Sequence, residues 1–203
     1  FINNIGVQGG CLYLRESNAS NCTFISNTGD YGGAVYVDDD GNTISDCIFI
    51  DNYSNNDGGA IFHRWLDNTV TNCTFTNNHA EGSGGAVYDY HMDTITNCTF
   101  TGNSAIVTGG ALYNRTACTI SDCTFTSNSC DGNGGAVFDY GSTTGYAANT
   151  VTACVFTSNV SKDNGGGIFN KYKKNIISDC TFSSNSASNL GGAIYNAEVN
   201  TLN

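Results

Sequence analysis

Apolar residues in this chain come in runs of two or three and never form the 3.6-residue stripe of a helix. Runs such as Thr43-Ile44-Ser45, Cys47-Ile48-Phe49 and Ala60-Ile61-Phe62 are bounded by Asn, Asp and Gly, which marks them as short strands. The runs recur. A Gly-Gly pair followed by a small residue, an aliphatic and an aromatic starts at Gly9, Gly32, Gly58, Gly84, Gly109, Gly134, Gly165 and Gly191, in steps of 23, 26, 26, 25, 25, 31 and 26 residues. In phase with it, Cys-x-Phe-x-x-Asn starts at Cys22, Cys47, Cys73, Cys98, Cys123, Cys154 and Cys180, and Phe1-Ile2-Asn3-Asn4 is a partial eighth copy. A period near 25 with three short strands predicts one turn of a parallel β-solenoid, each residue stacked on its copy one coil away at about 4.8 Å. The expectation is an all-β parallel β-helix of about eight coils, a single repeat domain over residues 1–203.

The repeated positions carry their own physical roles. The residue before each ladder cysteine is Asn21, Asp46, Asn72, Asn97, Asp122, Ala153 or Asp179. Asn and Asp tolerate the left-handed conformation of a tight corner, so this is the expected corner and Ala153 its one strained copy. Alternation then sends the Cys and the Phe inward, the thiols acting as small buried hydrophobes that stay unbridged. The asparagines Asn27, Asn52, Asn78, Asn103, Asn128, Asn159 and Asn185 are expected to stack amide on amide and satisfy a buried turn. One feature conflicts with strict alternation. In Gly-Gly-Ala-Val-Tyr the aliphatic and the aromatic are adjacent, so either the strand bends or the ladder from Tyr13 to Tyr195 forms an outward stripe that something covers.

The paired signatures Gly58-Gly59-Ala60-Ile61 and Phe75-Thr76-Asn77-Asn78 resemble those of the polymorphic outer membrane protein repeat. The Asn-Cys-Thr-Phe-Thr-x-Asn style is similar to the adhesin-like surface proteins of methanogenic archaea. The resemblance implies a right-handed parallel β-helix, exported and displayed on a cell envelope, used in adhesion or envelope structure, with no catalytic residues to carry over. Cys11 and Gly167 replace the usual Ala, and the unit between Gly134 and Cys154 is enlarged.

Composition narrows the partners. With 28 Asn, 25 Gly, no Pro and a formal net charge of −11, the chain would repel nucleic acid and anionic lipid. Copies of itself, related envelope proteins, and host or cell-wall glycans are the expected partners, with no membrane insertion by this segment.

Length varies at one corner only: Cys to Gly-Gly takes 10 or 11 residues, Gly-Gly to Cys 13 to 20. Stacked, that corner predicts a ridge holding Arg15-Glu16, Asp38-Asp39-Asp40, His63-Arg64-Trp65, Asp89-Tyr90-His91, Asn114-Arg115, Asp139 to Tyr146 and Lys171 to Lys174. Loops on a rigid scaffold carry binding, and Arg64, Trp65, Tyr90, His91, Tyr140, Tyr146 and Tyr172 are the candidate contact residues. The competing reading is a solvated corner. Asp89 and Asp139, two coils apart, are the one pair that suits an inverting glycosidase, although Asp and Asn alternate there as in a turn. His63, His79 and His91 lack zinc spacing. Calcium at Asp38 to Asp40 is the only cofactor the sequence suggests, against the commoner solvated acidic turn.

Three cysteines lie off the ladder. In an oxidising exterior Cys11, Cys118 and Cys130 are candidates for cross-links between chains, with Cys118 and Cys130 expected to be exposed. Among the Asn-x-Ser/Thr sequons, Asn52, Asn114 and Asn159 are the expected glycan acceptors. Neither end reads as a cap, which suits an excerpt of a longer rod or units stacked head to tail. The expected function is a non-enzymatic extracellular protein, an adhesin or the material of an envelope layer or sheath. A polysaccharide-active enzyme and a calcium-dependent glycan-binding module are the alternatives.

Overall fold

The computed structural model describes the chain except residues 92, 117, 142–147, 173–174, 199–200 and 203. Among the described residues, 31 strands wind into a parallel β-helix with four faces, three of eight strands and one of seven. One turn runs Thr43–Ser45, Ile48–Ile50, Tyr53–Ser54 and Ile61–His63. The chain completes seven four-strand turns and three strands of another, slightly fewer than the eight coils expected. The strand at Tyr53–Ser54 and its copies, absent from the sequence reading, is two residues long in most coils, too short to leave an alternating pattern.

Three corners of each turn are fixed by left-handed backbone. The residue before each ladder cysteine, Ala153 included, has φ of 51–55°. The residue before each ladder asparagine does the same, from Ser26 and Asp51 to Ser184, with φ of 54–65°. The first glycine of each pair makes the third corner, with φ of +69° at Gly58. The second glycine is required by crowding: a Cβ on Gly59 would sit 1.9 Å from the Gly85 carbonyl oxygen. The fourth corner has left-handed residues at no fixed position, such as Glu16, Gly41 and Asp67, and nearly all the length variation falls there.

The asparagine ladder ties the coils together. Asn103 Oδ1 accepts the backbone N–H of Asn78 at 3.0 Å and its Nδ2 at 3.0 Å. Asn103 Nδ2 in turn donates to Asn128 Oδ1 and to the Phe75 carbonyl, both at 3.0 Å. All four hydrogen-bonding positions of a fully buried amide are filled, which offsets the cost of taking it out of water. The pattern recurs with the same partners from Asn52 to Asn159.

Inside, Phe1, Phe24, Phe49, Phe75, Phe100, Phe125, Phe156 and Phe182 form a continuous stack with centroids 4.7–5.0 Å apart. They pack against the Ile44, Val70, Ile95, Ile120 and Val151 ladder and the row of cysteines. The second aromatic ladder resolves the alternation conflict without a bend. Val35 and Val37 are both inside, so Tyr36 between them faces outward, and the strands keep register with Phe62 on Tyr88. Its rings stack at 4.6–5.5 Å from Tyr13 to Tyr195. Stacking covers both faces of most rings, and flanking side chains cover much of the rest, so Tyr36, Phe62, Phe138 and Phe169 are buried.

Two substitutions test the scaffold. Asn103→Ala leaves the Asn78 N–H and one Asn78 Nδ2 hydrogen without an acceptor and takes one donor from Asn128 Oδ1 and one from the Phe75 carbonyl, and should cost about 3–5 kcal/mol, against about 1 kcal/mol for Asn97→Ala at an exposed corner, as read by denaturant unfolding. Equal costs would remove the ladder from the account. Ala153→Asn relieves left-handed strain and should raise stability by about 1 kcal/mol.

Candidate functional site

The free corner begins where each strand of the Ile61–His63 face ends, and its side chains meet across coils. Arg64, Trp65, Tyr90 and His91 converge with Gln8, Tyr31, Tyr36 and Phe62 around a groove of about 450 Å³. Tyr36 and Phe62 belong to the outward aromatic stack, and Tyr31 meets Phe62 edge-on at 5.2 Å. The sequence offered Arg64, Trp65, Tyr90 and His91; the other half of the lining comes from the ladder and from the residues just before each Gly-Gly. Trp65, the only tryptophan, is 45% exposed.

Cations lie over the ridge aromatics. Arg64 is 5.3 Å from the Trp65 ring centre and Arg115 is 4.1 Å from that of Tyr90. Further along, Lys171 sits 4.4 Å from the Tyr140 ring, which meets Tyr172 edge-on. Tyr140 and Tyr172 thus form a separate cluster, and Tyr146 lies outside the described residues.

Beside the groove is a smaller polar pocket of about 320 Å³ lined by Arg15, Asp38, Asp39, Asp40, Arg64 and Trp65. Its three carboxylates turn to different partners: Asp38 to Arg64, Trp65 and Tyr13, Asp39 to Arg15, and Asp40 to the Leu66 N–H. Each carboxylate is thus engaged by a group of the protein itself. Among the described residues no group of three or more His, Cys, Asp or Glu has the arrangement of a metal site. Burial works to raise Asp38, but hydrogen bonds from Tyr13, Trp65 and Arg64 together hold its carboxyl below the ordinary range.

His63, Asp89, Asn114 and Asp139 do not belong to the ridge. Each ends a strand of the fourth face with its side chain inside the solenoid and fully buried. Asn114 Nδ2 donates to Asp139 Oδ1 at 2.9 Å. Asp89 and Asp139 are therefore sealed from any saccharide, which removes them as a glycosidase pair. Burial pushes Asp139 up to about 7 and Asp89 well above the usual carboxylate range, and pushes His63 down to about 4.

A family model described as right handed beta helix region matches residues 9–168, most of the chain. One described as Chlamydia polymorphic membrane protein repeat matches residues 179–197. No curated protein and no solved structure matches the chain.

The off-ladder cysteines are not where the sequence reading put them. Cys118 takes the place of Asn42, Asn68, Asp93 and Asn149, which close the inner side of the ridge, and is buried. Cys130 lies in the strand Ser129–Cys130, paired with Ala105, and also faces inward. The expectation of exposed thiols at both positions fails for that reason. The sequons are corrected likewise: Asn52, Asn114 and Asn159 are buried, whereas Asn18, Asn21, Asn72 and Asn97 are exposed. All ten cysteines are unbridged, and only Cys11, Cys22 and Cys180 are partly exposed. Alkylation of the native protein, mapped by mass spectrometry, should modify those three, Cys11 slowly because burial pushes its thiol up to about 11. The other seven should react only on unfolding, and native labelling of Cys118 or Cys130 would contradict their placement.

Proposed function

We propose that this chain, which belongs to the right-handed β-helix family, is a non-enzymatic, surface-exposed protein of the adhesin type that holds saccharide in the ridge groove. The observation that carries the reading is the groove itself. Trp65, Tyr90, Tyr36 and Phe62 offer aromatic surface to the C–H face of a sugar, while Gln8, Arg64 and His91 offer hydrogen bonds to its hydroxyls. The size lies within the range of small-ligand pockets, and exposed Trp, Tyr and Arg are the residue types that dominate contact energy. The match of residues 179–197 to the polymorphic membrane protein repeat supports a place on the cell surface.

Two features argue against catalysis. No carboxylate lines the groove, and Asp38, bonded to two of its lining residues, is held ionised by Tyr13, Trp65 and Arg64. A glycoside-cleaving acid needs the opposite, a carboxyl kept protonated near neutral pH. The burial of Cys118 and Cys130 also takes away the disulfide chemistry that an envelope sheath would have used at those positions.

The test is a glycan array on the intact protein, followed by calorimetry on the hits. Trp65→Ala should weaken binding by about 10–100-fold, the effect of about 1.5–3 kcal/mol at a contact hot spot, with the unfolding midpoint unchanged. Binding that survives both Trp65→Ala and Tyr90→Ala would place the ligand elsewhere, and hydrolysis of a bound glycan would end the non-enzymatic reading.

A further inference from the structure

The first ridge residue of each coil keeps the order of the scaffold. It directly follows a strand of the Ile61–His63 face, and its N–H still bonds to the coil before. Arg64 donates to the Val37 carbonyl at 3.1 Å, Arg115 to that of Asp89 at 3.1 Å, and Lys171 to that of Asp139 at 2.8 Å. His63, Asp89, Asn114 and Asp139 face inward at the preceding position, so alternation turns this residue outward. Along the solenoid the position holds a cation in every second coil, Arg15, Arg64, Arg115 and Lys171, with Asp38, Tyr90 and Tyr140 in the coils between. The cations therefore recur at about 9.5 Å, twice the strand spacing.

The two halves of the row differ. Arg15 shares its charge with Asp39 at 3.5 Å and Arg64 with Asp38 at 3.0 Å. Arg115 and Lys171 lie instead over the Tyr90 and Tyr140 rings, and the ion pairs among the described residues include neither of them. Both cations are partly exposed, as are Tyr140 and Tyr172 beside Lys171. We propose that the saccharide held on the ridge is a linear acidic glycan with one carboxylate or sulfate per disaccharide. Its acidic groups sit on Arg115 and Lys171, and its chain runs along the solenoid axis past Tyr90 into the groove at Trp65. The inference rests on the saccharide reading of the groove and names the class of sugar.

Charge spacing selects the class. A disaccharide in an extended chain is about as long as two strand spacings, so one acid per disaccharide falls in step with one cation per two coils. A nucleic acid strand carries a charge about every 3.4 Å, which leaves most of its phosphates unmatched against a chain of net charge −11. The overall charge does not exclude the sparser polyanion, because fields between exposed groups are screened within about 8 Å at physiological salt. What counts is the charge close to the row. There Asp89 and Asp139 are buried, while the exposed Glu198 acts on Tyr172 and opposes the site.

Calorimetry on the intact protein tests this with a tetrasaccharide of alternating glucuronate and N-acetylglucosamine, the corresponding disaccharide, and the tetrasaccharide with both carboxyls reduced to alcohols. The acidic tetrasaccharide should bind about tenfold more tightly than either of the others, and its advantage over the reduced form should shrink as salt is raised. Arg115→Gln/Lys171→Gln should bring it down to the affinity of the reduced form with the unfolding midpoint unchanged. Arg115→Lys/Lys171→Arg, which keeps both charges, should retain most of the advantage, and Glu198→Gln should increase it about twofold. Equal binding of the acidic and reduced forms, an advantage that survives the double Gln variant, or no binding of the acidic tetrasaccharide would each overturn the acidic class. An oligothymidylate that binds as tightly would overturn the spacing argument. A glycan array whose hits are all neutral and are lost in Trp65→Ala would overturn the acidic class and leave the saccharide reading standing.

Discussion

The rest of the structure depends on the four-way hydrogen bonding of one asparagine per coil. Each amide accepts twice from the coil before it, donates once to the coil after it, and donates once back to a phenylalanine-strand carbonyl. That arrangement is closed only when neighbouring coils sit at one spacing and one register, because a slip breaks all four bonds at once. The phenylalanine stack at 4.7–5.0 Å and the outward aromatic stack obey the same repeat. Apolar burial supplies most of the stabilising free energy, but it is non-directional; the amides supply the register.

A scaffold locked at three corners leaves the fourth free to vary. The fixed corners require left-handed residues or glycine at set positions, whereas the ridge corner has to close only the gap between the Ile61–His63 and Thr69–Thr71 strands. Trp65, Tyr90 and Arg64 collect there because nothing in the core competes for them. The outward aromatic stack runs beside the ridge and gives it an apolar floor. The polar interior side chains, from Asn42 through Asp93 to Asn149, tie the irregular turns back to the regular body. Buried polarity thus marks the place where the repeat is interrupted.

Much of this was legible in the sequence, and the exceptions have physical causes. The corner before each cysteine was readable because Asn and Asp are the residues that enter the left-handed region. The corner before each asparagine was less so, since Ser26, Ser127, Ser158 and Ser184, which carry no such preference, share it with Asp51, Asn77 and Gly102. Asp89, Asn114 and Asp139 looked like turn residues because polar groups rarely end up inside; here each sits one residue before the turn, and strand alternation turns it inward. Cys130 was misplaced because a two-residue strand leaves no periodic trace. The ridge was found by its variable length, but half of the groove came from residues that repeat and so resembled pure scaffold. Repetition hides a groove when the same side chains line it and build the scaffold.

The central claim is that the asparagine ladder, rather than the apolar core alone, holds the coils in register and carries the ridge. Residue-resolved amide hydrogen exchange tests it most directly. The account predicts that the backbone amides of Asn52, Asn78, Asn103 and Asn128, each bonded to the next amide oxygen, are among the slowest in the protein and open together. Amides of the ridge turns, such as those of Arg64 and Tyr90, should exchange faster and independently of one another. Ladder amides that exchange as fast as the ridge, or singly coil by coil, would contradict it.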